Sequence, residues 1–213
     1  MTTLIVCAVD AECTAVARDL PAGVDVTIVE GGVGPVAAAV TTATALANSD
    51  YDCVISAGIA GGFRDRAAIG EAVVADASVA ADLGCRTDDR FLTLHDLGME
   101  QDPSVAFEHA AQWHHRLAVG GAPTRLGTVL TLSCMTGTDA DGVALAQRHP
   151  DAVAEAMEGW GVAWAARSAG VPAGEVRAIS NLVGRRDAES WDLTGAFDAL
   201  SRTFAVLLAA PLP

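Results

Sequence analysis

Short apolar runs rich in β-branched residues recur along this chain, at Leu4–Val9, Val24–Val29, Cys53–Ala57, Ala72–Ala75, Leu126–Leu132 and Glu175–Ile179. Several are continuous rather than alternating, the pattern of strands covered on both faces. Between them lie stretches that read as helices: Ala11–Asp19, Pro35–Ala47, Val105–Val119, Ala140–Arg148, Gly159–Ala169 and Gly195–Leu208. Pro35 suits a first helical turn, and Gly170 followed by Pro172 suits a helix end. Strands alternating with helices predict an α/β sandwich. No repeat or linker interrupts the pattern, so a single domain over residues 1–213 is expected, with the polar stretch Gly84–Pro103 as a loop.

Composition narrows the function. Hydrophobic residues make up 51% of the chain and charged residues 19%, which excludes a disordered protein. The net charge is −14, and every basic residue is Arg. Such a surface repels polyanions and argues against nucleic acid as the partner. With no Lys, Schiff-base chemistry and a P-loop are excluded.

The five cysteines are scattered, with no C-x-x-C and no Cys/His ligand spacing, so neither a disulfide framework nor a metal site is expected. Buried thiols suit a reducing cytoplasm. The first residues, M-T-T-L-I-V-C-A-V-D, lack a basic segment and a long apolar one, and read as a first strand. No apolar run reaches the length of a membrane span.

Ligands in α/β sheets bind at the carboxyl ends of strands, so polar residues that follow apolar runs are the candidates. Glu12 follows the first run in A-V-D-A-E, either as a catalytic acid or as a charge complementing a helix end. Asn181 follows the last run, either as a reader of a base or as the end of a strand. Glu158 opens an apolar segment in A-M-E-G and would read a ribose. Arg185 and Arg186 lie just past Asn181, at a cleft rim or in an exposed charge cluster.

Two glycine-rich stretches bear on a pocket. G-V-G-P-V-A at residues 32–37, with Asp52 further on, is a partial dinucleotide fingerprint, but it follows the second strand where the fingerprint belongs after the first. A tight turn lining a small-molecule pocket is the simpler reading. S-A-G-I-A-G-G-F at residues 56–63 reads as a turn whose N–H groups could face a ligand or an attacking water. A phosphate cradle beside Arg64 is the rival. Trp160, Ala163 and Trp164 share a helical stripe that suits the core or a subunit contact.

In this order the pieces A-V-D-A-E, G-G-V-G-P-V-A-A-A, S-A-G-I-A-G-G-F, A-M-E-G and R-A-I-S-N resemble the nucleoside phosphorylase/hydrolase superfamily, which includes methylthioadenosine/S-adenosylhomocysteine nucleosidase. The tail S-N-L-V-G-R-R-D-A-E-S-W-D is similar to its futalosine hydrolase branch, which serves menaquinone biosynthesis. The resemblance implies a three-layer α/β/α sandwich around a mixed, partly barrel-like sheet, assembled as a homo-oligomer, dimer or tetramer. It implies a small-molecule nucleoside substrate and no cofactor. Glu12 would activate water, Glu158 would hold the ribose hydroxyls and Met157 would pack on the sugar. Val33 would line the 5′ pocket, Ala60 and Gly61 the loop near the nucleophile, and Ile59 and Thr136 the remaining substrate contacts.

Three departures set this chain apart from adenine-cleaving nucleosidases: Asn181 replaces an Asp, Ile59 a hydroxyl residue and Ala156 an acid. A 6-oxopurine offers an acceptor at C6 and N7–H as a donor on departure, so the donor and acceptor of an Asn amide match both. Hypoxanthine or guanine is the expected leaving group. Two acids and no Arg in A-V-D-A-E oppose phosphate and favour water. Futalosine hydrolysis is therefore the leading reading. Phosphorolysis of another purine nucleoside and a non-catalytic nucleoside-binding domain stay open beside it.

Overall fold

The computed structural model describes residues 2–212. The chain runs β1 (Thr3–Cys7), α1 (Asp10–Ala17), β2 (Val26–Glu30), α2 (Pro35–Asn48), β3 (Cys53–Gly62) and β4 (Ala72–Ala80). Then follow β5 (Gly84–Arg86), β6 (Phe91–Thr93), β7 (Ser104–Ala106), α3 (Ala110–Val119), β8 (Thr124–Thr131) and α4 (Asp139–Arg148). The last elements are β9 (Ala152–Ala156), α5 (Gly159–Ser168), β10 (Ala173–Leu182) and α6 (Leu193–Leu207), with a short 3-10 turn at Ala188–Ser190.

The sheet is mixed and curls on itself. Its order is β10-β4-β8-β9-β3-β1-β2, and β10 pairs with β3 as well as β4, which closes a ring through β9 and β8. β1, β2 and β3 pair in parallel, as do β3 and β10, whereas β9 runs against β3 and β4 against β10. The expected sandwich with a central mixed sheet is present.

Strand β1 shows why the helices flank both faces. Leu4 and Val6 point to one side, into a cluster with Val54, Ala38 of α2 and Val162 and Ala166 of α5. Ile5 and Cys7 point to the other, into the main core with Ala15 and Val16 of α1 and Leu200 and Phe204 of α6. Alternate residues are thus apolar for two different layers, and the run reads as continuous. Trp160 and Trp164 stack with ring centroids 4.8 Å apart, half-buried against the main core.

The structure corrects several boundaries. The helix expected from Val105 begins at Ala110, because Val105 pairs with Ser78 in a strand. The loop expected over Gly84–Pro103 contains a small hairpin, with Cys85 opposite Leu92. Glycine-rich residues 56–62 belong to strand β3, not to a turn, since Gly58 to Gly62 continue the pairing with β10. Strand β9 lies where only an entry to a helix was expected, and its five residues are all buried.

Candidate active site

The carboxyl ends of β1, β3, β9 and β10 surround a cavity of about 240 Å³. Its walls include Glu12, Val33, Ile59, Ala60, Gly61, Thr136, Met157, Glu158 and Asn181, so one space gathers nine of the eleven residues singled out in the sequence. Arg185 and Arg186 are not among its lining residues. Arg185 faces a neighbouring cavity that shares Asn181 and Trp191 with the first. The Arg186 guanidinium stacks 5.6 Å from the Trp191 ring centroid, and Trp191 lines the main cavity.

Glu12 reaches the cavity from the first turn of α1. Its Oε2 accepts from the backbone N–H of Ala8 at 2.9 Å and of Val9 at 3.4 Å, while Oε1 accepts from Ile59 N–H at 2.8 Å. The Ile59 N–H from the glycine-rich strand thus holds a carboxylate, which disfavours the phosphate cradle. Arg64 lies on the neighbouring cavity instead. Glu12 is only 4% exposed, and burial pushes its pKa up against the pull of Arg177 and the backbone donors. A carboxyl poised above its ordinary range suits proton transfer near neutrality.

Glu158 caps the start of α5 and is held from two sides. Its Oε1 accepts from Gly34 N–H at 3.1 Å and its Oε2 from Arg177 Nη1 at 3.2 Å. Gly34 has φ of 92°, which lets the turn into α2 present that N–H. The glycines of the partial fingerprint therefore position a carboxylate. Asp52, the supposed ribose reader of that fingerprint, precedes β3 at the opposite end of the sheet, where its N–H bonds Thr2. A dinucleotide has no support here.

The register of β10 against β3 shifts between Ile179 and Asn181, so Ser180 is an extra residue. Bulges of this kind re-aim side chains, and here Ser180 and Asn181 both line the cavity. Asn181 Oδ1 accepts from Ser180 Oγ at 2.8 Å, and Nδ2 donates to Leu182 O at 3.1 Å. An amide has two N–H groups and two lone pairs, so one of each remains for a ligand.

Sequence reasoning gave no role to Arg177 or Glu175. Arg177 is 1% exposed, and its Nε donates to Glu175 Oε1 at 2.9 Å, its Nη1 to Glu158 and its Nη2 to Ser56 Oγ at 3.0 Å. Burial alone would lower its pKa, but Glu175, Glu158 and Glu12 outweigh it and hold the guanidinium above its ordinary value. Glu175, fully buried, is pushed up by burial and pulled back by Arg177. The signal was available: Glu175 and Arg177 sit two apart on a buried strand, hence on one face.

Glu155 was missed as well. It projects from β9 into the same cavity, 7% exposed, with Thr136 donating to it through its backbone N–H at 2.9 Å and its hydroxyl at 2.6 Å. Burial pushes its pKa up, and the two bonds from Thr136 oppose that.

The phosphorylase superfamily matches residues 6–211, spanning the strands and turns that build this cavity. The chain belongs to that superfamily. Within it, the chain is 44% identical to a futalosine hydrolase of Streptomyces coelicolor, covering all of this chain and 96% of that protein. It is 46% identical to a futalosine hydrolase of Acidothermus cellulolyticus, over 97% of this chain and 90% of that one. The solved structure of futalosine hydrolase from Helicobacter pylori superposes with a TM-score of 0.82 over 97% of both chains, at 18% identity, and so shares the superfamily fold.

Proposed function

We propose that this protein hydrolyses the N-glycosidic bond of futalosine, releasing hypoxanthine and dehypoxanthinyl futalosine, a step of menaquinone biosynthesis. The observation that carries this reading is the convergence of Glu12, Glu158 and Asn181 on one cavity at the carboxyl ends of the strands. The similarity to proteins named futalosine hydrolase supports the choice of substrate.

Each side chain has a role that its surroundings support. Ionised Glu12 takes a proton from water as the water oxygen bonds to C1′. N7 takes a proton from solvent as the C1′–N9 bond breaks with its electron pair leaving on N9, so the base departs neutral, and Glu12 returns its own proton to solvent. Glu158, fixed by Gly34 and Arg177, accepts hydrogen bonds from the ribose hydroxyls, which tighten as positive charge develops at C1′. Asn181 offers its remaining N–H to O6 and its remaining lone pair to N7–H. Met157 and Val33 supply apolar walls for sugar and 5′ chain. Three carboxylates on the cavity, Glu12, Glu155 and Glu158, oppose a phosphate nucleophile and favour water.

Two further features belong to this reading. Val33, Val36 and Val40 are 59%, 75% and 61% exposed around the start of α2, beside the cavity, which supports self-association into a dimer or tetramer. The five free cysteines suit a cytoplasmic protein. Among the described residues, no helix is long and apolar enough to cross a membrane.

The test is chromatography of futalosine, inosine and methylthioadenosine after incubation with the purified protein, with and without phosphate. Phosphate-independent release of hypoxanthine from futalosine is the expected result. Cleavage only with phosphate, or binding without turnover, would overturn it.

A further inference from the structure

Gly61 of β3 pairs with Asn181 of β10 on one side and with Glu155 of β9 on the other. Neighbouring strands lie about 4.8 Å apart, so the three residues form a row with a side-chain-free position at its centre. Directly paired residues face the same side of a sheet. A β-carbon placed on Gly61 would lie 3.1 Å from Val183 Cγ2, 3.3 Å from Asn181 Nδ2 and 3.6 Å from Glu155 Cγ, so the amide and the acid flank this position with the Val183 methyl beside them. Gly61, Asn181 and Glu155 all line the cavity. The row carries an amide on one bank and a carboxylate on the other.

Among the described residues, the carboxylate bank has no cation beside it. Glu175 and Glu158 are paired with Arg177, but among the described residues no Arg or His forms an ion pair with Glu155. Its neighbours on β9 are Ala154 and Ala156, and only Thr136 donates to it. A buried acid without a cation is costly to keep ionised, and each further hydrogen-bond donor offsets part of that cost. Two donors occupy one lone pair on each oxygen, and a carboxylate has more acceptor sites than that. A donor arriving from the cavity would complete the set.

A 6-oxopurine carries such a donor. On its edge, O6 accepts and the adjacent N1–H donates, whereas the N1 of a 6-aminopurine is a bare acceptor. We propose that Glu155 reads the N1–H of a 6-oxopurine lying over Gly61, opposite Asn181, and thereby excludes 6-aminopurines. This rests on the reading of the cavity as a nucleoside site and names the residue that makes it selective. Asn181 alone covers O6 and N7 and leaves N1 unread.

Binding of free bases isolates this contact from turnover. Calorimetric affinities of the full chain for hypoxanthine, 1-methylhypoxanthine and adenine are compared with those of Glu155→Ala and Glu155→Gln. The parent should prefer hypoxanthine, and Glu155→Ala should lose about 10–10²-fold on hypoxanthine, the scale of one hydrogen bond to a charged group. It should lose less than about threefold on 1-methylhypoxanthine, which has no N1–H to give. Glu155→Gln can accept N1–H through its carbonyl or donate to a bare N1, so its ratio of adenine to hypoxanthine affinity should rise well above the parent's.

Equal losses on both hypoxanthines, or an unchanged ratio in the Gln variant, would overturn the assignment. Should Glu155→Ala fail to fold, the Gln variant decides it. A parent that binds no hypoxanthine also overturns it. Futalosine cleavage by the parent with no base effect at Glu155 removes this inference alone. Selective hypoxanthine binding without any cleavage removes the hydrolase reading and leaves the base contact standing.

Discussion

The backbone of Gly58 lies directly against the carboxylate of Glu12: a β-carbon at Gly58 would overlap Oε1 and stand 2.8 Å from Arg177 Nη1. Real β-carbons do not approach this closely, so the acid and the guanidinium share a space that only glycine leaves open. Gly58→Ala should displace Glu12 and lower kcat/KM on futalosine at least about tenfold, because small misplacements of a reacting group are costly. Steady-state kinetics on the folded variant checks this, and activity within threefold of the parent would show that the carboxylate shifts harmlessly.

Glu12→Gln should remove most of the turnover, about 10²–10⁴-fold for a lost general base, while nucleoside affinity survives. The base must be ionised, and burial raises its pKa. The acid limb of the parent's pH–rate profile should therefore lie above pH 4.5, the ordinary carboxyl value. The limb should disappear from the residual activity of the variant. Persistence of the same limb would assign it to another group.

Arg177 holds together three buried elements, so Arg177→Met should act mainly on stability. Removing one partner of a buried pair costs about 3–5 kcal/mol, since Glu175 would be left fully buried and unpaired. Urea unfolding should show that loss. Arg177→Lys, lacking the planar fork, should recover only part of it.

How much of this was legible follows from what each strand buries. Leu4–Val9 and Cys53–Ala57 announced themselves because both faces of those strands are covered by apolar layers. Strand β9 did not, because Ala-Val-Ala-Glu-Ala is made of small residues and a carboxylate, and its burial comes from neighbours rather than its own side chains. Glu12 and Asn181 were singled out by their positions after apolar runs, and Glu158 by its place at the head of one. Arg177 and Glu175 were passed over because charged residues read as exposed. They neutralise each other inside the sheet, a pairing across space that only two-residue spacing hinted at. Gly58 looked like part of a turn, and its use became visible only with Glu12 packed on it.

Asn181→Asp turns a donor into a second acceptor beside O6. We expect kcat/KM on the 6-oxo substrate to fall roughly 10–10³-fold, for a contact worth about 1.5–3 kcal/mol and further repulsion. Cleavage of the 6-amino analogue should gain relative to it. The ratio of the two rates, parent against variant, is the measurement; an unchanged ratio would mean that the amide only secures the strand end through Ser180 and Leu182.

The neighbouring cavity beyond Trp191 carries Arg185 and Arg64, and we propose that this cavity takes the 5′ chain of futalosine, with Arg185 as the cation for its carboxylate. Arg185→Ala should raise KM for futalosine several-fold and leave inosine unchanged. Arg186 stacks on Trp191, so its removal should have a smaller effect, transmitted through the ring. Comparing KM for the two substrates across both variants checks the assignment. Parallel changes on both substrates would remove Arg185 from 5′ recognition.

Closure of the sheet through β10 also sets when this protein can begin to work. The bond from Gly34 to Glu158 spans 124 residues, and that from Ser56 to Arg177 spans 121. β10 is the last strand of the ring to be synthesised, and it brings Arg177, Ser180 and Asn181. A growing chain that has reached α5 already carries Glu12, Glu155 and Glu158, yet it has no Arg177 to hold the last and no Asn181 amide in the cavity wall. Contacts so distant in sequence slow folding, and here they are the ones that complete the cavity.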